Sequence, residues 1–361
     1  MKDFFENSKS NWVCYKGYEL KEKDGVLYIT PSENAMPDLY NIMQRREQII
    51  VDALNTGLLC MKKGVDEEEK KKAVMEFVSH YGLLGLMTTI TSTPAFMDYE
   101  VVHFIKNRFI KAETMDTLEY IAKFFPFEMP QITKNGLAMR WDISGDKTMM
   151  ALAMTFSDRE TAVNMSFQRN YAEQYEWVKT QFIDWALLFT TAHIFYEDDL
   201  SEDDKTLYRQ MMTVFDSNSP TYHIALRDDK PVLVWNFGSL AIAIQMLFSL
   251  SITDDKKPIR VCKQCAKAFI PPRPNAVFCS SKCKNQYNVY KSRAKDKYFQ
   301  EKHKTTENSV VSCFFQNGQR SCSERFFLVL SHFHFAIGCS FTFSKISPSN
   351  NNSGMKCPFP N

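Results

Sequence analysis

The chain has 361 residues, of which 44% are hydrophobic, 24% charged and 14% aromatic. That is the composition of a globular protein of about two to three domains, and it excludes a disordered or fibrous chain. The net charge of +2 hides an asymmetry. Residues 256 to 304 hold fourteen Lys or Arg against two acids, Asp296 and Glu301, a net of +12, while the rest carries thirty basic and forty acidic residues, a net of −10.

The opening stretch, MKDFFENSKSNW, places acids among its first residues and has no apolar run of secretory-signal length, so a cytoplasmic location is expected. Residues 12 to 30 alternate around Asp24-Gly25, the pattern of a short β-hairpin. From Pro37, suited to a first helical turn, apolar residues recur every three or four positions through Leu39, Ile42, Met43, Ile49, Ile50, Ala53 and Leu54. One long helix is predicted there, ending at Gly64. Residues 66 to 86 begin with an acidic run at the end where a helix dipole favours negative charge, and continue through Val74, Phe77, Val78, Tyr81 and Leu84 as a second helix.

Residues 98 to 124 read as one or two shorter helices, and 137 to 156 fit a hairpin about Gly145 or a helix after it, with strand preferred. Residues 169 to 197 run for many turns without Gly or Pro, and Tyr171, Tyr175, Val178, Phe182, Trp185, Ala186, Phe189 and Ile194 mark this helix as the spine of the core. Residues 221 to 238 form two apolar runs about Arg227-Asp228-Asp229-Lys230, a second hairpin, followed by an apolar helix from Ser239 to Ile252. The polar run Thr253 to Pro258 sets a domain boundary. No period suggests a solenoid, and the body has no apolar stretch of spanning length.

The 57 residues from Thr305 include ten Ser, nine Phe and four cysteines without ligand spacing. This tail reads as a disordered or non-native extension. Within it, Phe326 to Phe343 nears the length of a membrane span, but Ser331, His332, His334 and the Gly338-Cys339-Ser340 break make a hydrocarbon-facing helix costly. No membrane partner is expected.

Of the ten cysteines, Cys14 and Cys60 are isolated. Four others, Cys262, Cys265, Cys279 and Cys283, fall as C-x2-C, thirteen intervening residues, then C-x3-C. In a reducing compartment such pairs serve as thiolate ligands rather than disulfides. Four thiolates fill the tetrahedral shell that Zn2+ prefers and leave no open position for water, so the site is expected to be structural rather than catalytic. Phe269 is expected beneath it, with Ser280 or Ser281 capping a helix whose first turn holds Cys283. The arrangement is that of a treble clef.

Along that helix Lys284, Asn288, Lys291 and Lys295 recur at offsets of four, seven and eleven, a single stripe, with Lys282 and Arg293 beside it. The stripe suits phosphate oxygens, and Asn288 or Arg293 could reach a base edge. Tyr287 and Tyr290 offer stacking faces or core packing. DNA or RNA is the expected partner of this module. The alternative is a structural or protein-interaction role in which the finger only stabilises or docks the C-terminal region.

The run FCSSKCKNQYNVYKSR after a paired-Cys knuckle resembles the CGNR-type zinc fingers and related treble-clef modules, over residues 258 to 297. Cys262, Cys265, Cys279 and Cys283 correspond to their ligands and Asn285 to the Asn of the name motif, with Lys291 and Arg293 in the basic continuation. Lys284 and Gln286 stand where that motif has Gly and Arg. The resemblance implies a helical domain followed by a finger, and a nucleic-acid-binding regulator.

The body shows no G-x-S-x-G, phosphate loop, H-E-x-x-H or dinucleotide Gly fingerprint, and no enzymatic activity is assigned to it. His80, His103, His193 and His223 lack ligand spacing, and the acids Glu197-Asp198-Asp199 and Glu202-Asp203-Asp204 lack the Gly and terminal Glu of a calcium loop. The expected architecture is α+β: a mainly helical body with short β-hairpins over 1–255, able to take a small ligand or protein partner, a treble-clef zinc finger over 256–304, and the tail over 305–361.

Overall fold

The computed structural model describes residues 11–88, 101–103, 107–127, 167–195, 202, 206, 220–227, 229–253, 259–273 and 275–305. The chain divides into two units, Met1–Val311 and Ser312–Asn361, and all the described residues lie in the first. It is a mixture of helices and short strands, and every strand pair described is antiparallel.

The first hairpin is β2 (Tyr18–Lys23) and β3 (Val26–Pro31), with Lys23 opposite Val26. Its two-residue turn needs positive φ at both positions, which Asp24 (53°) and Gly25 (76°) supply. The preceding β1 (Asn11–Tyr15) does not extend this hairpin but pairs with β4 (Pro37–Asn41). Residues 37 to 41 are therefore strand, not the start of a helix. Pro37 sits opposite Tyr15 at the last position of that ladder, where its missing N–H is tolerated. The Asn41 side chain then accepts the Met43 N–H at 2.9 Å and starts a 3₁₀ turn, Ile42–Arg45, which runs into α1 (Arg46–Met61).

Helix α2 (Glu67–Tyr81) begins as its acids foretell, with the Asp66 carboxylate accepting the Glu69 N–H at 2.7 Å. It stops at Gly82, whose φ is +92°. Among the described residues between 98 and 124 the helical expectation holds for α3 (Thr117–Phe124) alone, capped by Asp116. Val101–His103 (β5) and Thr114–Asp116 (β6) are instead paired strands, and β-branched Val101 and Val102 suit a pleat better than a helix. The ambiguous segment 137 to 156 lies outside the described residues.

The spine helix is α4 (Tyr175–Phe195), shorter at its start than expected because Glu173–Gln174 (β7) joins the edge of β3. Tyr175, Val178, Phe182, Trp185, Ala186 and Phe189 are all buried on it. Helix α1 packs against α4 with almost no gap at Gly57, where an added Cβ would lie 2.7 Å from the Ala186 side chain and closer still to the Phe182 carbonyl. Only glycine permits that approach. The second hairpin, β8 (Thr221–Arg227) with β9 (Lys230–Asn236), is as expected, and Tyr222, Ile224 and Leu226 stand exposed on alternate positions of it. Helix α5 (Leu240–Thr253) follows, its first turn capped by the Ser239 hydroxyl, which accepts the Ile242 N–H at 3.1 Å.

One buried acid ties these parts together. The Glu173 carboxylate accepts the Leu84 N–H at 2.8 Å, the Leu86 N–H at 2.6 Å and the Tyr171 hydroxyl at 3.1 Å, fixing the loop after α2 against β7. Burial pushes this carboxyl up to about 7, opposed by the Leu86 and Leu84 N–H groups and the Tyr171 hydroxyl. A folded-state value above the ordinary 4.5 means that the native protein holds a proton the unfolded chain has released. The contribution is full below about 4.5 and is lost as pH rises to about 7. The stability of the protein relative to its Glu173→Gln variant should therefore shrink across that window in denaturant titrations. Parallel pH profiles for the two proteins would refute the assignment.

Candidate metal centre

The Cys262–Cys265 pair sits on a turn between two short strands, β10 (Arg260–Val261) and β11 (Ala268–Phe269). The turn is closed by the Cys262 N–H donating to the Lys267 carbonyl at 2.9 Å and by the Ala266 N–H donating to the Cys262 carbonyl at 2.9 Å. Ala266 takes a φ of 58°, an uncommon conformation for a residue with a Cβ, and so lets the chain fold back over the first cysteine. The second pair is brought in by the Lys263 N–H, which donates to the Val277 carbonyl at 3.1 Å.

Helix α6 (Ser281–Thr305) starts at the second pair. Of the two serines considered as its cap, Ser280 takes the part, its hydroxyl accepting the Cys283 N–H at 3.2 Å. Cys283 is thereby placed in the first turn, pointing back to Cys279. Phe269 is buried, as expected for an aromatic below the knuckle.

All four sulfur atoms lie within 4.8 Å of one another. Cys279 Sγ is 3.6 Å from Cys265 Sγ and 3.5 Å from Cys283 Sγ, far beyond the ~2.05 Å of a disulfide. A tetrahedral ion bound to thiolates at ~2.3 Å sets its ligands about 3.8 Å apart, so the sulfurs already stand near the required separations. Among the described residues this is the one such group of potential metal ligands.

Electrostatics favour a cation at the centre. Burial would raise the Cys262 thiol, but the backbone N–H groups of Cys265, Cys279 and Gln264 outweigh it and bring the group down to about 6. The Cys279 thiol is pushed up to about 12, by partial desolvation among the crowded sulfurs first and then by the sulfurs of Cys283, Cys265 and Cys262. Cys265 is raised too, mainly by the same partial desolvation. Four thiolates this close repel one another unless a positive ion offsets them. Cys262 is buried, whereas Cys265 and Cys279 face solvent, so an ion has an open side by which to enter.

Of the residues expected to contact nucleic acid, Lys282, Lys284, Asn288, Lys291 and Arg293 are exposed on α6, while the side chain of Lys295 lies outside the described residues. Among the described residues none of the four basic groups pairs with an acid. Tyr287 is not a free stacking face: its ring packs on Phe278 with centroids 5.1 Å apart. Tyr290 is exposed and its hydroxyl accepts the Gln286 amide at 3.2 Å.

The isolated Cys14 and Cys60 are buried thiols, each raised to about 11 chiefly by burial. His80 is exposed, with a ring nitrogen 2.7 Å from the Glu76 carbonyl oxygen. The side chains of His103, His193 and His223 lie outside the described residues, as do the acids of 197–204 apart from Glu202 and the whole segment Phe326 to Phe343. Among the described residues no helix is long and apolar enough to cross a membrane.

Asn55, on α1, joins the site without any mark in the sequence. Its side-chain oxygen accepts the Ala268 N–H at 2.7 Å and its amide donates to the Ala268 carbonyl at 3.2 Å. A lone Asn between buried Leu54 and Thr56 gives no periodic signal. Comparison of the chain with family models, with curated proteins and with solved structures returned no match.

Replacing Cys279 by Ser removes the sulfur that neighbours two others. Bound metal per chain should fall in elemental analysis while the helical signal of the body is largely kept. Unchanged metal stoichiometry would contradict the ligand assignment.

Proposed function

We propose that residues 259–305 form a zinc-bound treble-clef finger whose helix α6 docks on a nucleic acid, DNA in the first instance, as part of a regulatory protein. Zinc is the ion that best matches four thiolates in a closed shell, since it is content with tetrahedral geometry and sulfur ligands. A closed shell makes the metal structural, its part being to order a short stretch and fix the start of α6. The resemblance of the cysteine spacing and of Cys283-Lys284-Asn285 to the CGNR-type fingers supports the same reading.

The observation that carries the nucleic-acid reading is the set of basic side chains on α6, Lys282, Lys284, Lys291 and Arg293, which stand in solvent with Asn288 among them and have no acidic partner among the described residues. Basic groups clustered on one exposed helix are available to phosphate oxygens. Lys263, Lys267 and Arg273, exposed on the knuckle side, extend the positive surface. The body is then the part that takes a small ligand or a protein partner.

A second reading rests on the Asn55–Ala268 bonds: the finger serves the body, as a stabilising or protein-docking element. A salt series on the full zinc-loaded chain separates the two. Binding to duplex or single-stranded DNA should weaken steeply with salt. Replacing Lys284 and Lys291 together by Gln should flatten the slope of log K against log salt by about two. Absence of binding to either form at low ionic strength removes the nucleic-acid reading and leaves the second.

A further inference from the structure

We infer that Asn55 is a positioning residue of the metal centre, and that through it metal binding and the stability of the body are one equilibrium. The inference rests on the reading of the four cysteines as a zinc site. It goes beyond that reading because Asn55 belongs to α1, more than two hundred residues earlier in the chain and on the far side of the expected domain boundary.

The hairpin β10–β11 has two residues in each strand, too few to stand alone. Ala268 lies in β11, and both its N–H and its carbonyl are taken by the Asn55 side chain, at 2.7 and 3.2 Å. A planar amide with one acceptor and one donor does here what a neighbouring strand would do. Ala268 directly follows Lys267, whose carbonyl holds the Cys262 N–H at 2.9 Å. Asn55 is thus one residue removed from the bond that closes the cysteine knuckle.

Apolar contacts act in the same sense. Ile259 and Ala268 are buried in the same cluster as Ala53, Leu54 and Phe182, with Val261 and Ile270 packed against it. On the other side α1 is pressed onto α4 at Gly57. A continuous path of packed and hydrogen-bonded groups therefore leads from the sulfurs through Ala268, Asn55 and α1 to α4. An ion that binds the folded knuckle stabilises whatever must be folded with it, and the coupling acts equally in reverse. A ligand that orders α1 accordingly tightens the grip on zinc and fixes the start of α6.

The test uses the full chain. Zinc content is measured first, and a chain that takes up no zinc overturns the metal reading itself before coupling is examined. On the zinc-loaded protein, hydrogen exchange is followed before and after chelation. Protection should fall together in 259–283 and in α1. In Asn55→Ala, with all four cysteines in place, zinc should bind about 10- to 100-fold more weakly, while the helical signal of the zinc-saturated variant matches that of the parent. Loss of protection confined to 259–283, or an unchanged zinc affinity in the variant, would overturn the coupling. If the variant does not fold, the exchange comparison on the unaltered chain still decides.

Discussion

Mutual repulsion among thiolates is the constraint on which the C-terminal part of the described structure depends. Four sulfurs within 4.8 Å of one another cannot all ionise without a cation between them. The backbone around them is arranged for that cation: N–H groups converge on Cys262, Ser280 caps the turn that carries Cys283, and Ala266 accepts a left-handed conformation to close the knuckle. These are costs in conformation and charge that a bound ion would offset. The basic helix begins at the second cysteine pair, so an ion held by the four sulfurs would set the position of its first charged turn.

The same short region is also held from the other side. Helix α1 uses one face, at Gly57, to approach α4, and another, at Asn55, to complete the edge of β11. A finger tethered by a linker would leave its orientation free, whereas one hydrogen-bonded through a side chain of a core helix shares the rigidity of the body. In the first case body and finger act independently, and in the second anything that shifts α1 is felt at the start of α6.

Much of this was legible in the residues because local chemistry dictates it. The convergence of the four cysteines followed from their spacing, the hairpin about Asp24-Gly25 from the need for positive φ, and the spine helix from a long apolar repeat free of Gly and Pro. Residues 37 to 41 misled because Leu39, Ile42 and Met43 also fit a helical repeat. What makes them strand is a partner, residues 11 to 15, which only the folded chain supplies. Residues 101 to 116 failed for the same reason, since their pairing is between short strands that a ten-residue connection brings together. Asn55 and Glu173 gave no signal at all. A polar residue that satisfies backbone groups far away in sequence looks, in one dimension, like any solvent-facing position.

X-ray absorption at the zinc edge on the purified full chain reads the atoms around the ion directly. One zinc per chain is expected, with a first shell of four sulfurs at about 2.3 Å and no nitrogen or oxygen ligand. A shell containing light-atom ligands in place of one or more sulfurs, or a protein that acquires no zinc, would contradict this expectation.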